Sequence, residues 1–390
     1  MRSSPRLRTP APSVLAALVA LVVGAVAAAL VGPRPLDLGD ARTGDPALAE
    51  RVTAALGTTA GHRGLAVAWV EDGRVTTAGL GTAARGGAPV TGGTPFETGS
   101  VAKVLTGMLL ADAAGRGEVR LDQPVGELVP GTALADGRAT LAELATHRSG
   151  LPRLDPAPAA VLRATTASLT AGDPYDGSAA EVLDAAGRAG APGGAEPAYS
   201  NLGVAALGDA LAARAGTSYA DLLADRLTGP LGMTSTTVAT TAQEVPAGAA
   251  QPVSANGREH AFWTAEGYAP AGVGTFSTAA DLGALAAAAL EGRAPGQTAL
   301  DPVAPAGGDA PAGQQDGLGW VVDPADPATG RPAITWHNGG TGGTRTYVGL
   351  DRAGGRAVVV LATGADGVEA LGRALLTDGS GTDGAPGRDR

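Results

Sequence analysis

Cysteine is absent from all 390 residues. That excludes disulfides, thiolate nucleophiles, a lipoprotein anchor and every cysteine-ligated zinc or iron–sulfur centre. Histidine is scarce, with four positions at 62, 147, 260 and 337. None forms a His-Glu-x-x-His motif or a pair on one helix face, so neither a metal nor another cofactor is expected. Positive charge is also short: 28 Lys and Arg against 38 Asp and Glu leave a net charge of −10. Such a balance offers no electrostatic footprint for nucleic acid or anionic lipid, and neither is expected as a partner. The sharpest scarcity is lysine, which occurs once, as Lys103, beside 27 arginines.

What is present is enough apolar residue, 44%, to bury a sizeable core. Residues 1–40 stand apart. Arg2, Arg6 and Arg8 precede an uncharged apolar run from Val14 to Val31 and then Gly32-Pro33-Arg34-Pro35. This pattern is an export signal, and its 18-residue run fits both a cleaved signal peptide and a single retained membrane anchor. The expected location is therefore secreted, or anchored on the outer face of the cytoplasmic membrane. Residues 377–390 are rich in Gly, Asp and Thr and read as a disordered tail.

The domain between them, 41–376, begins and ends in strands. Leu65 to Val70 and Arg74 to Leu80 flank an Asp72-Gly73 turn, which predicts a hairpin. Runs at 333–337, 345–351 and 356–362 predict three more strands, followed by a helix over 366–376. Between these ends the pattern is mainly helical, clearest at 100–115, 202–215 and 278–291. Pro- and Gly-rich stretches at 152–176, 187–197 and 293–315 read as loops. The expected class is α+β: a sheet formed from both chain ends and flanked by helices, with a helical insertion at about 120–300.

Lysine titrates where its surroundings shift it, whereas arginine stays charged, so a single lysine among arginines points to a need for a titratable amine. Lys103 follows Ser100 by three residues, which on a helix places amine and hydroxyl one turn apart on one face. That is the geometry of a nucleophile and its activator. Val101, Val104, Leu105, Met108 and Leu109 make the following helix apolar nearly all round, hence buried, and burial favours the neutral amine.

Three segments carry a family resemblance. Phe96-Glu97-Thr98-Gly99-Ser100-Val101-Ala102-Lys103, then Tyr199-Ser200-Asn201, then His337-Asn338-Gly339 stand in the order and spacing of the serine β-lactamase and penicillin-binding superfamily. The chain resembles its class C β-lactamase-like branch, with its D-alanyl-D-alanine carboxypeptidases and esterases. Leu121-Asp-Gln-Pro-Val, Leu144 to Pro152, Gly229 to Thr234, Ala271 to Thr278 and Gly317 to Trp320 agree as well, so the resemblance spans about 64–363. It implies the β-lactamase/transpeptidase-like fold, an antiparallel sheet with an inserted helical region. It also implies Ser100 as the acylated nucleophile, Lys103 and Tyr199 as the proton-transfer pair with either as base, and Asn201 on the substrate amide.

The third motif departs from the commoner Lys-Thr-Gly, putting His337 where a permanent cation faces the substrate carboxylate. The backbone of Gly340 beside Ser100 would form the oxyanion hole, with Gly339 allowing close approach, and Arg345 is a candidate carboxylate clamp. The expected activity is that of an exported, monomeric serine hydrolase acting on a small molecule or peptide: a D-alanyl peptide, a β-lactam or an ester. An esterase of the same family and a non-catalytic envelope protein that binds penicillin are the alternatives. His147 and Ser149 read as turn residues rather than a catalytic pair, and Tyr175, Tyr268 and Trp320 as packing residues.

Overall fold

The computed structural model describes residues 21–24, 36–308, 310–364 and 367–378. Most of the export segment and of the C-terminal tail thus lie outside the described residues. Among the described residues no helix is long and apolar enough to cross a membrane. Leu36 and Leu38 are buried, and Asp37 bridges Ala60. The folded body therefore takes in five residues that the sequence pattern assigned to the leader.

The chain opens with a short edge strand, β1 (Arg42–Gly44), and helix α1 (Pro46–Leu56), whose N-cap Asp45 accepts from Leu48 N. The hairpin β2 (His62–Glu71) and β3 (Arg74–Gly81) follows. Its turn residues Asp72 and Gly73 have φ of 51° and 71°, both left-handed, which is why an Asp-Gly pair sits there. A small sheet joins β4 (Phe96–Glu97), β5 (Thr237–Val238) and β6 (Thr275–Ser277) in the order β4-β6-β5.

The inserted region carries α2 (Ala102–Gly115), α3 (Leu141–Ala145), α4 (Pro158–Thr170), α5 (Ala179–Ala189), α6 (Asn201–Ala215), α7 (Tyr219–Leu223) and α8 (Ala279–Leu290). The chain closes with β7 (Ala304–Pro305), β8 (Gln315–Asp316), β9 (Val321–Asp323), β10 (Ile334–Gly340), β11 (Thr344–Asp351), β12 (Arg356–Gly364) and α9 (Glu369–Asp378).

The large sheet has nine antiparallel strands in the order β1-β3-β2-β12-β11-β10-β9-β8-β7. Pairing of β12 with β2 joins the two chain ends. Both faces are covered. In β2, Leu65, Val67 and Trp69 pack with Leu48 and Val52 of α1 and Leu371 and Leu375 of α9, while Ala66, Ala68 and Val70 face the helical region. Alternation survives in the contacts but not in polarity, so the strand reads as a continuous apolar run.

One loop expectation is overturned: 152–176 contains the three-turn helix α4, opened by Pro158 at its first turn. Only Ala167 of α4 is buried, while Val161, Leu162 and Leu169 are exposed. A helix without a buried stripe leaves no periodic signal to read.

Candidate active site

Ser100 stands in a single 3-10 turn, Gly99–Val101, that runs into α2. Two elements distant in sequence clamp that turn. Thr98 N and Oγ1 both donate to Thr275 O at 2.9 Å, and Thr346 Oγ1 of β11 donates to Thr98 O at 2.7 Å. Gly99 has φ of +50°, and a Cβ there would lie 2.6 Å from Gly340 N. A Cβ on Gly339 would lie 2.9 Å from Ser100 N. Only glycines let β10 approach the Ser100 turn this closely.

Lys103 is 1% exposed, one helical turn below Ser100. Its Nζ lies 2.9 Å from Ser100 Oγ and donates to Ala271 O at 2.8 Å. Burial, reinforced by the nearby charge of Arg153, holds its pKa well below the ordinary lysine value. A neutral amine that donates to Ala271 O keeps its lone pair for the Ser100 proton. From the other side Tyr199 OH donates to Ser100 Oγ at 2.5 Å. Tyr199 leaves 36% of its surface open, yet desolvation of its hydroxyl outweighs the Ser100 hydrogen bond and the Arg153 charge and pushes its pKa up to about 12. The hydroxyl of Ser100 thus lies between an amine whose neutral form burial favours and a phenol that keeps its proton.

Asn201, the first residue of α6, donates from Nδ2 to Tyr175 OH at 3.1 Å, while its Oδ1 is buried with no partner among the described residues. His337 is buried on the strand face that Gly339 turns toward Ser100. Burial lowers its pKa to about 4, so its ring is neutral. Asn338 points to the opposite face and donates to Glu369 Oε2 of α9. Arg345 turns its Nη1 onto Thr341 O and Thr344 O, at 3.0 and 2.9 Å, bracing the β10–β11 turn.

A beta-lactamase family profile matches residues 49–378. The chain belongs to that family. Class C beta-lactamase from Rhodobacter sphaeroides shares the fold at a TM-score of 0.66 and 23% identity, covering 84% of this chain and 97% of that one. A D-alanine carboxypeptidase AmpC from Burkholderia cenocepacia gives 0.65 and 26%, over 86% and 99%. Among curated proteins, penicillin-binding protein 4 of Amycolatopsis lactamdurans is 34% identical over 177 residues, 44% of this chain and 43% of that protein. The D-alanyl-D-alanine-carboxypeptidase/endopeptidase AmpH of Escherichia coli K12 is 36% identical over 142 residues, 35% of each. The matched segments thus span less than half the length of these curated relatives. Members of the beta-lactamase family are serine hydrolases.

Several residues of this beta-lactamase-family site carry no signal in the sequence. Glu97, three residues before Ser100, is 1% exposed and accepts from Trp263 N at 2.7 Å, Thr341 Oγ1 at 2.5 Å and Thr344 Oγ1 at 3.3 Å. It ties the β10–β11 turn to the strand that delivers Ser100. Desolvation outweighs those hydrogen bonds and raises its pKa to about 7. Arg153 lies with its guanidinium 5.1 Å from the centre of the Tyr199 ring.

His147 lies against Tyr199, the two ring centroids 4.4 Å apart and tilted by 41°, and its Nδ1 accepts from Ser200 N. Burial lowers its pKa to about 3, which leaves it a neutral support for the Tyr199 segment. Ser149 is buried and accepts from Leu151 N, as a turn residue does. Trp320 is core, but Tyr175 and Tyr268 do more than pack: they line a cavity of about 510 Å³ between α4 and α5. Ser100 does not line that cavity, which adjoins the site through Tyr175 and its hydrogen bond from Asn201. Among the described residues no cluster of three or more His, Asp or Glu gathers to hold a metal.

Proposed function

We propose that this chain is an exported serine hydrolase that forms an acyl-enzyme on Ser100 and acts as a D-alanyl-D-alanine carboxypeptidase. The observation that carries the reading is the Ser100 hydroxyl placed 2.9 Å from the Lys103 amine and 2.5 Å from the Tyr199 phenol. Lys103 takes the hydroxyl proton as Oγ bonds to the substrate carbonyl carbon. The carbonyl oxygen becomes an oxyanion facing Ser100 N and Gly340 N, donors of a kind worth about 100- to 1000-fold each. When the C–N bond breaks, the leaving nitrogen takes the Tyr199 proton, and the Lys103 ammonium returns its proton to the tyrosine. Water then attacks the ester by the same steps in reverse. Asn201 Oδ1, buried and without a partner, accepts the substrate amide N–H.

Similarity to the Burkholderia D-alanine carboxypeptidase and to AmpH supports a D-alanyl peptide as substrate. A second reading, hydrolysis of small neutral esters, is favoured by the neutral His337 in place of a fixed cation. Export rests on Arg2, Arg6, Arg8 and the apolar run 14–31. N-terminal sequencing of protein recovered outside the cytoplasm separates a cleaved signal from a retained anchor. All the groups named lie on one chain, so a monomer suffices; light scattering checks this against the assembly of the octameric Pyrococcus abyssi homologue.

The deciding experiment is intact-mass spectrometry of residues 36–390 after exposure to a D-alanyl-D-alanine peptide, a penicillin and a p-nitrophenyl ester, with Ser100→Ala as control. Release of D-alanine together with a Ser100-dependent penicilloyl adduct supports the carboxypeptidase. Ester turnover alone moves the assignment to the esterase. Adducts that persist in Ser100→Ala refute Ser100 as the nucleophile.

A further inference from the structure

The neutral third motif leaves an open question of charge. A D-alanyl leaving group carries a carboxylate, and the groups that the sequence offers to meet it are spent. His337 is neutral and buried, and Arg345 Nη1 is turned onto the carbonyls of Thr341 and Thr344. Lys103 is buried below the nucleophile and engaged with Ser100 Oγ and Ala271 O.

Arg153 differs from these and from its neighbours. Nearby arginines are paired: Arg148 with Asp316, Arg163 with Asp176 and Arg188 with Asp155. Among the described residues the exposed Arg153 side chain makes no ion pair and no hydrogen bond; its one contact of note is the Tyr199 ring, 5.1 Å from Cζ. Its backbone is fixed to the same segment, because Arg153 O accepts from Asn201 N at 3.0 Å and Leu202 N at 3.2 Å. The guanidinium therefore moves with the Tyr-Ser-Asn segment rather than with a separate loop.

Where that cation stands relative to substrate follows from the chemistry. The atom that departs must touch the group that protonates it, so the leaving nitrogen sits beside Tyr199 OH. In D-alanine the carboxylate is two bonds from that nitrogen, which puts its oxygens about 3 Å away. We propose that Arg153 is the carboxylate-binding residue on the leaving-group side, selecting acyl donors whose leaving group ends in a free carboxylate. A planar guanidinium suits this task, since it is permanently charged and can meet both carboxylate oxygens at once. The inference rests on the Ser100 acyl-enzyme reading and names the selectivity of that same site.

The test compares two acyl thioesters that differ only in the leaving group: a mercaptoacetate free acid and its methyl ester, with thiol release followed colorimetrically. The free acid places a carboxylate two bonds from the departing sulfur, as D-alanine does from nitrogen. The expected result is that wild type prefers the acid in kcat/KM. In Arg153→Gln that preference falls by about 10- to 100-fold, the scale of one charge-assisted contact. Arg153→Lys recovers part of it, and Arg153→Glu reverses it. A merely structural role for Arg153 would lower both substrates together and leave their ratio intact. An unchanged ratio in Arg153→Gln, or a wild type with no preference, overturns the inference while leaving Ser100 catalysis standing. Turnover of neither thioester by wild type, with no adduct on Ser100, overturns the acyl-enzyme reading and this inference with it.

Discussion

Replacing Lys103 by arginine separates a need for positive charge from a need for a removable proton. The lysine is 1% exposed, with Ser100 Oγ at 2.9 Å and Ala271 O at 2.8 Å from its amine, and burial favours the neutral form of that amine. A guanidinium keeps its proton at every working pH, so it cannot accept the one on Ser100. A positioned general base contributes on the order of 100- to 10,000-fold, and the arginine variant is expected to lose that much in acylation rate. Lys103→Ala should fall to within about tenfold of it. The assay is single-turnover acylation by a p-nitrophenyl ester. An arginine variant within about tenfold of wild type would refute the argument, because charge alone would then suffice.

The same lysine makes a prediction about stability with a definite sign. The unfolded chain binds its proton up to about pH 10.5, whereas the folded protein releases it at a lower pH. Between those two values the unfolded state holds more protons, so stability rises with pH. Lys103→Met removes this linkage. It should melt at or above the wild-type temperature at pH 7, with the gap closing as pH rises toward 9.5. A gap constant with pH contradicts a neutral buried amine.

Three further outcomes are expected. Tyr199→Phe removes the phenol that donates to Ser100 Oγ at 2.5 Å and should lower kcat by about 100- to 10,000-fold. Its ring still packs on His147, so the melting temperature should shift little. Glu97 holds its proton to about pH 7 when folded and to 4.5 when unfolded, so its contribution is complete below 4.5 and lost as pH rises to 7. That change is on the order of 3 kcal/mol. Urea titrations across this range should find a flatter pH dependence in Glu97→Gln, and an equal slope would reject the buried protonated acid. Gly99→Ala, with φ of +50° and a Cβ 2.6 Å from Gly340 N, should cost about 1–3 kcal/mol in urea unfolding and slow acylation.

The parts of this protein that were legible in the sequence are those decided by neighbours along the chain. Ser100 and Lys103 are three apart, and a helix converts that spacing into contact whatever surrounds it. The Asp72-Gly73 turn forces its hairpin through two left-handed residues. Strands β10, β11 and β12 and helices α2, α6 and α8 fall within a few residues of their predicted bounds because their apolar runs are long. Tyr199 is 99 positions from Ser100, and only the family resemblance brought it into the site before the fold did. Helix α4 escaped notice because nothing packs on most of it.

The tertiary structure decided the states of the groups and the partners that are remote in sequence. Whether Lys103 is a cation or a base, and whether His337 is a cation or a neutral ring, depends on how much water the fold excludes from each. Glu97 became a brace for the β10–β11 turn only when Thr341 and Thr344 arrived from the far end of the chain. Arg153 is one of 27 arginines by composition, and its place over the Tyr199 ring comes from the way its segment docks against the start of α6. Residue types and local spacing thus specify which atoms can react. Desolvation and long-range docking determine their protonation and the ligand charge they can meet, because both depend on distances through space rather than along the chain.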